Sequence, residues 1–339
     1  MTLHTVSKYF KTLAIATLTA ASMTTLSSCE SIYDDLDPCP HGVALRFIYD
    51  YNMEFANAFP SQVDCLTVLF YDENGKYVTT RTNATDELKD ENYRMVVDLE
   101  PGVYNIIAYG GMDCDKSSFH FVTDPENTSF TDLQVELNKN LLTQPKGNEL
   151  HSLFYGRIDV EIEKEDMTYR DYTVPMMKDT NNLKIVLQQI DGDPLDNEDF
   201  EFTITDNNTL FAYNNDLIPQ PDVTFYPWTR GNTQVGELPD GGISQVCWAE
   251  LSFPRLVTGF KPMLTVTRRS DGYRIINIPL NNYLLLCKSQ HYADMGSQEF
   301  LDRQSYWNLV FFLDRNHAWL QTQIIINDWV VRINDVDFD

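Results

Sequence analysis

The chain has 339 residues, with 25 Lys plus Arg against 50 Asp plus Glu, and a formal net charge of −25 at pH 7. So acidic a surface excludes the basic footprint that nucleic acid requires, and it gives no electrostatic grip on anionic lipid. Hydrophobic residues at 43% and aromatics at 12% are too many for a disordered chain and enough for packed cores, and the length suggests two domains.

Residues 1–28 hold Lys8 and Lys11, no acid, and an apolar run from Thr12 to Leu26. A basic start, a short apolar middle and a small-residue end make a secretory signal. The run is well short of the roughly 20 residues a membrane-spanning helix needs, so cleavage is expected. The cleavage site reads Leu26-Ser27-Ser28-Cys29 and resembles a bacterial lipobox. Cys29 is then the mature first residue: its thiolate is the nucleophile that accepts a lipid. Two or three acyl chains hold a protein to a membrane where one does so only marginally. Asp34, Asp35 and Asp37 follow at once, and an acidic run of this kind reads first as a solvated tether over 29–37.

From residue 38 onward strands dominate. VALRFIYDY alternates, with Val43, Leu45, Phe47, Tyr49 and Tyr51 on one face and Arg46 and Asp50 on the other. YNMEFANAFPSQ is expected to hold a short helix ending before Pro60. In CLTVLFYDENGKYVTTR, Asn74-Gly75 sits where a two-residue hairpin turn needs left-handed backbone. YRMVVDLEPGVYNIIAYGG is expected to be a second hairpin on a type II turn at Pro101-Gly102. FTDLQVELNK and SLFYGRIDVEIE continue the series. The pattern pauses at EKEDMTYRDY, which sets an expected domain break between 166 and 167. A second series follows: NLKIVLQQI, DFEFTITD, VTFYPW, SQVCWAELSF, a hairpin on Asp271-Gly272, YWNLVFFLD and AWLQTQIIINDWVVRI. Many short strands with few helical runs predict an all-β chain of two tandem antiparallel β-sandwich domains, 38–166 and 167–339.

Beyond Cys29 there are five cysteines. Cys247 with Cys287, and two of Cys39, Cys65 and Cys114, are candidate disulfides in an exported chain, with buried free thiols the alternative. The histidines His41, His120, His151, His291 and His317 are scattered, with no HExxH spacing, no GxSxG elbow and no phosphate-cradling loop, so an enzyme is not expected. No cofactor is expected. The acidic loop DGDPLDNED makes Asp191, Asp193 and Asp196 a weak calcium candidate against an ordinary polar turn, since it lacks the EF-hand order. FYPWTR, with Phe225, Tyr226 and Trp228, is the best candidate for an exposed aromatic platform, because Pro227 interrupts strand pairing. Trp307, Trp319 and Trp329 fall within strands and are expected in the core.

The lipobox cysteine, IYDDLDPCP, LRFIYDYNMEFANAFPSQVDCLTVLFYDENG, DLEPGVYNIIAYGG and LFYG together resemble the FimB-type fimbrial anchor lipoproteins of Bacteroidota, minor or anchor subunits of type V pili. The likeness is densest from Cys29 to Gly156. It implies transthyretin-like sandwiches, a lipid anchor at the outer membrane on the cell surface, and docking of the first fimbrial shaft subunit by β-strand complementation. It further implies that Asp34, Asp35 and Asp37 form a surface-export signal. An accessory or tip adhesin that binds host protein or glycan is the alternative role.

Overall fold

In the computed structural model, the described residues are 41–142, 146–164, 168–237, 241–288, 292–326 and 329–334. The first unit contains β1 (Gly42–Ile48), β2 (Leu66–Asp72), β3 (Tyr77–Asn83), β4 (Met95–Asp98), β5 (Gly102–Gly110), β6 (Phe119–Phe121), β7 (Gln134–Leu137), β8 (Phe154–Ile162) and β9 (Tyr169–Lys178). Seven of them form one sheet in the order β3-β2-β5-β8-β9-β1-β4. It folds over where Phe154–Gly156 of β8 meet Met176–Lys178 of β9, so β3-β2-β5-β8 face β9-β1-β4 as two layers. The alternation of β1 sends Val43, Leu45 and Phe47 into that sandwich, against Val68 and Phe70 of β2 and Ile106 and Ala108 of β5. Each such fully buried side chain contributes about 1.5–3 kcal/mol relative to exposure.

The second unit contains β10 (Thr180–Gln189), β11 (Phe200–Asp206), β12 (Leu210–Ala212), β13 (Val223–Phe225), β14 (Thr229–Glu237), β15 (Ile243–Pro254), β16 (Met263–Arg268), β17 (Arg274–Pro279), β18 (Tyr306–Leu313), β19 (Trp319–Ile326) and β20 (Trp329–Asn334). A six-stranded sheet, β14-β15-β10-β18-β19-β20, packs on a four-stranded one, β13-β11-β16-β17. Leu183, Ile185 and Leu187 of β10 and Leu309 and Phe311 of β18 meet Phe202, Ile204 and Val266 between them. Trp307 is buried there as its strand position predicts. The chain is thus all-β and built of sandwiches. Among the described residues its short α-helices are α1 (Phe59–Gln62), α2 (Leu280–Leu285) and α3 (Ser297–Arg303).

Several local expectations change. Pro60 lies in the first turn of α1, where its missing N–H costs nothing, so it starts the helix instead of ending one. At Asn74-Gly75 only Gly75 is left-handed (φ 75°). Its N–H bonds Asp72 O at 2.9 Å and the register slips between Phe70 and Tyr71, which makes a type I turn with a glycine bulge. β4 and β5 do not pair: β4 bonds β1, and β5 bonds β2 and β8. Val97 and Ile106 meet across one core from opposite layers, so Pro101-Gly102 is an arch between layers. Gly102 has no left-handed φ, which removes the type II turn. The hairpin at Asp271-Gly272 forms as expected, with β16 antiparallel to β17.

The break expected between 166 and 167 does not follow the sheets. β9 lies beyond it yet belongs to the first sheet, and the chain crosses to the second unit at Asp179. Nor is pairing wholly antiparallel. β9 runs parallel to β1 and β18 parallel to β10, so each unit's first strand is an interior strand held by one that comes late in that unit.

Candidate binding surfaces

Cys29, Asp34, Asp35, Asp37 and Cys39 lie outside the described residues, as does His291. Of the cysteines within them, Cys65, just before β2, is bonded to Cys114, in the loop after β5. Cys247 and Cys287 are not joined. Each is a buried free thiol in the second unit's core, acting there as a small apolar group. Burial pushes the Cys247 thiol up to about 12 and the Cys287 thiol well above its ordinary range, so neither is a nucleophile at neutral pH.

The acidic loop does not gather its carboxylates. Asp191 pairs with Arg315 at 2.5 Å, a bond that lowers its pKa. Asp196 accepts from Glu198 N at 3.0 Å and from Asn232 Nδ2 at 3.2 Å, which lowers it likewise. Asp193 is exposed. These acids cap a turn and steady a strand, and they do not form the oxygen cage calcium needs. Among the described residues, Cys65, Cys114 and His151 form the one group of three with metal-ligand spacing, and its two sulfurs are bonded to each other.

FYPWTR does build a concave site. Phe225 ends β13 in the core, Pro227 breaks the pairing, and Trp228 N resumes it with a bond to Glu250 O at 3.0 Å. Tyr226 and Trp228, both half-buried, are left on the wall of a cleft of about 400 Å³. Phe202 and Glu201 of β11 line it too. Arg230 reaches it paired with Glu198 at 2.8 Å. Arg269, just past β16, donates its Nε–H to Phe200 O at 3.1 Å and its terminal amines have no partner among the described residues. Lys146, from the first unit, completes the rim, and its ammonium has no partner there either. The loop carrying it is pressed onto FYPW by a bond from Gly147 N to Pro227 O at 3.0 Å. A Cβ at Gly147 would lie 2.0 Å from Tyr226 O, so only glycine permits this approach. The sequence revealed the aromatics of this cleft but not Lys146 and Arg269, which come from segments far from FYPWTR in the chain.

Sheet edges are the second kind of surface. β3 and β4 end the first sheet, β14 and β20 the six-stranded one, and β13 and β17 the four-stranded one. β4 is only four residues long, and β14 is bulged between Gln234 and Gly236 with Val235 exposed. Short and bulged edges resist unwanted pairing; β3 is seven residues long and threonine-rich, with its one register slip at the turn end of its pairing with β2. An edge of this kind can accept an added strand. No helix among the described residues is long and apolar enough to cross a membrane.

Tandem sandwiches with open edges and a disulfide-closed loop define an all-β protein built of sandwich units. The chain belongs to the family of fimbrillin-A associated anchor proteins Mfa1 and Mfa2, which matches residues 36–335. That family is one of structural fimbrial subunits and not of enzymes, which fits the fimbrial anchor resemblance read from the sequence. The chain is 21% identical over 316 residues, 92% of each protein, to the minor fimbrium anchoring subunit Mfa2 of Porphyromonas gingivalis. The structure of a fimbrial anchor protein Mfa2 from the same organism superposes with a TM-score of 0.64 over 87% of this chain and 99% of that one, at 16% identity, and shares the fold. A Bacteroides thetaiotaomicron structure described as a candidate adhesin is 54% identical, with a TM-score of 0.82 over 88% of this chain and 100% of that one.

Proposed function

We propose that this chain is the lipid-anchored base of a fimbria: Cys29 carries the acyl chains in the outer membrane, and the sandwiches dock the first shaft subunit. Residues 29–37 are then a tether, with Asp34, Asp35 and Asp37 as its surface-export signal. The observation that carries this reading is Leu26-Ser27-Ser28-Cys29, placed a short way ahead of the first strand in a chain of an anchor family. Docking proceeds by strand addition at an open edge, where main-chain bonds supply affinity and alternate side chains supply selectivity. The seven-residue, threonine-rich edge of β3 favours that strand as the acceptor.

Mass spectrometry of the purified mature N-terminus should find an acylated Cys29, and Cys29→Ala should release the protein from the outer membrane and fibres from the cell. A Cys29→Ala protein that matures normally and stays membrane-bound overturns the anchor. Photo-crosslinkable residues along β3 and β14 map the docking edge, with crosslinks to the shaft subunit expected from β3. The likeness to a candidate adhesin favours one second reading, an accessory or tip subunit. Immunogold label at the fibre base supports the anchor, and label at the tip supports the adhesin.

A further inference from the structure

We propose that the cleft between FYPW and the Lys146 loop is a binding site for an acidic saccharide, independent of the fimbrial docking edge. The charge pattern is the first ground. In a chain with twice as many acids as bases, Lys146 and Arg269 converge on one concavity, and neither has an acidic partner among the described residues. Arg230 is also there, but Glu198 holds it at 2.8 Å. Glu198 and Glu201 share the lining, so the three cations leave one net positive charge in a cleft on so acidic a surface, which still attracts a carboxylate or sulfate. Guanidinium meets such groups with paired, charge-assisted hydrogen bonds.

The remaining walls suit a sugar ring. Tyr226 and Trp228 offer apolar faces with polar edges. Glu201 is exposed at the site and its carboxylate has no bond among the described residues, which makes it an acceptor for hydroxyl groups. The indole Nε1 of Trp228 is a buried donor with no partner among the described residues. The volume of about 400 Å³ is within the range of small-ligand pockets and suits one or two rings. An extended acidic peptide fits less well. It would need free main-chain groups, and those of the wall are spent: Trp228 N on Glu250 O, and Gly147 N on Pro227 O.

The test is a calorimetric titration of the full mature protein with digalacturonate, with a sulfated disaccharide, with the matched neutral galactose disaccharide, and with an aspartate-rich peptide. Saturable binding of an acidic disaccharide is expected, at least about tenfold tighter than the neutral one and weakened by salt. The double variant Lys146→Gln/Arg269→Gln should lose that preference while the protein stays folded, its melting temperature lowered only by the loss of the Arg269 bond to Phe200 O. Comparing the two acidic probes tells carboxylate from sulfate as the preferred group. Equal affinity for the neutral sugar, unchanged affinity in the double variant, tighter binding of the peptide, or no saturable binding of either acidic sugar would each overturn the proposal. None of these results bears on acylation at Cys29 or on crosslinks from β3, so the two readings fail separately.

Discussion

Asp179 is wholly buried at the point where the chain leaves β9 for β10. One carboxylate oxygen accepts from Asn215 Nδ2 at 2.9 Å, and the other has no partner. The nearby cation is already committed: Arg255 grips Asp302 through two bonds of 2.7 and 2.9 Å and donates to Asn215 O at 3.0 Å. Burial therefore dominates and pushes the Asp179 carboxyl from 3.8 up to about 7, with Arg255 and the Asn215 bond pulling back. Between those values the folded state holds a proton that the unfolded state has released, so stability falls as pH rises through the window. Asp206, raised to about 6 by burial, adds to the same slope. Asp179→Asn keeps the shape and removes the cost of ionisation. Its stability advantage over the natural protein should grow between pH 5 and pH 8 by roughly 2–3 kcal/mol. Urea melts at the two pH values check this, and a constant difference would mean that the carboxylate is solvated. Nothing in the sequence marks this residue, because its burial comes from packing between two units and not from any local pattern.

At the scale of elements, legibility follows the range of the forces. The alternation of β1 and the turn at Asp271-Gly272 are set by neighbours in sequence, and both were readable. The arch at Pro101-Gly102 was not, because β4 and β5 carry the same apolar period whether they pair or face each other across a core. Phe225 lies in the core and not on the exposed platform that was expected, but the break at Pro227 was legible for the same reason that β1 was, since proline interrupts pairing locally. The loop that closes over it was not, since Gly147 reads as an ordinary loop glycine until its distance from Tyr226 is seen. That closeness makes a sharp expectation. Gly147→Ala must move the loop or the FYPW backbone, at about 1–3 kcal/mol by analogy with overpacking elsewhere. It should lower the melting temperature and shift the Trp228 fluorescence together. A variant with natural stability and spectrum would show that the loop does not press on this wall.

At the scale of the molecule, the two sandwiches are joined by more than a linker. β12 of the second unit pairs with β7 of the first, Phe211 opposite Val135, in a three-stranded sheet with β6. Leu150 N bonds Ser252 Oγ at 3.1 Å, and Tyr155 donates to Tyr213 O at 2.9 Å. Arg303 of α3 lies over Tyr51 and Phe55 at 4.1 and 4.7 Å. Buried Leu69, Tyr71, Ile107 and Tyr109, on the reverse face of the first sandwich, belong to the same apolar cluster as the second unit's core. The units should therefore unfold together, in one calorimetric transition whose van't Hoff and calorimetric enthalpies agree. Phe211 is buried in the seam, its ring 6.1 Å from that of Phe119. Phe211→Ala should destabilise the protein by about 3–5 kcal/mol through the cavity it leaves. If the seam alone couples the units, the same substitution should split the single transition into two. Two transitions in the unaltered protein, or a Phe211→Ala melt shifted by less than a degree, would mean that the sandwiches are independent domains that only touch.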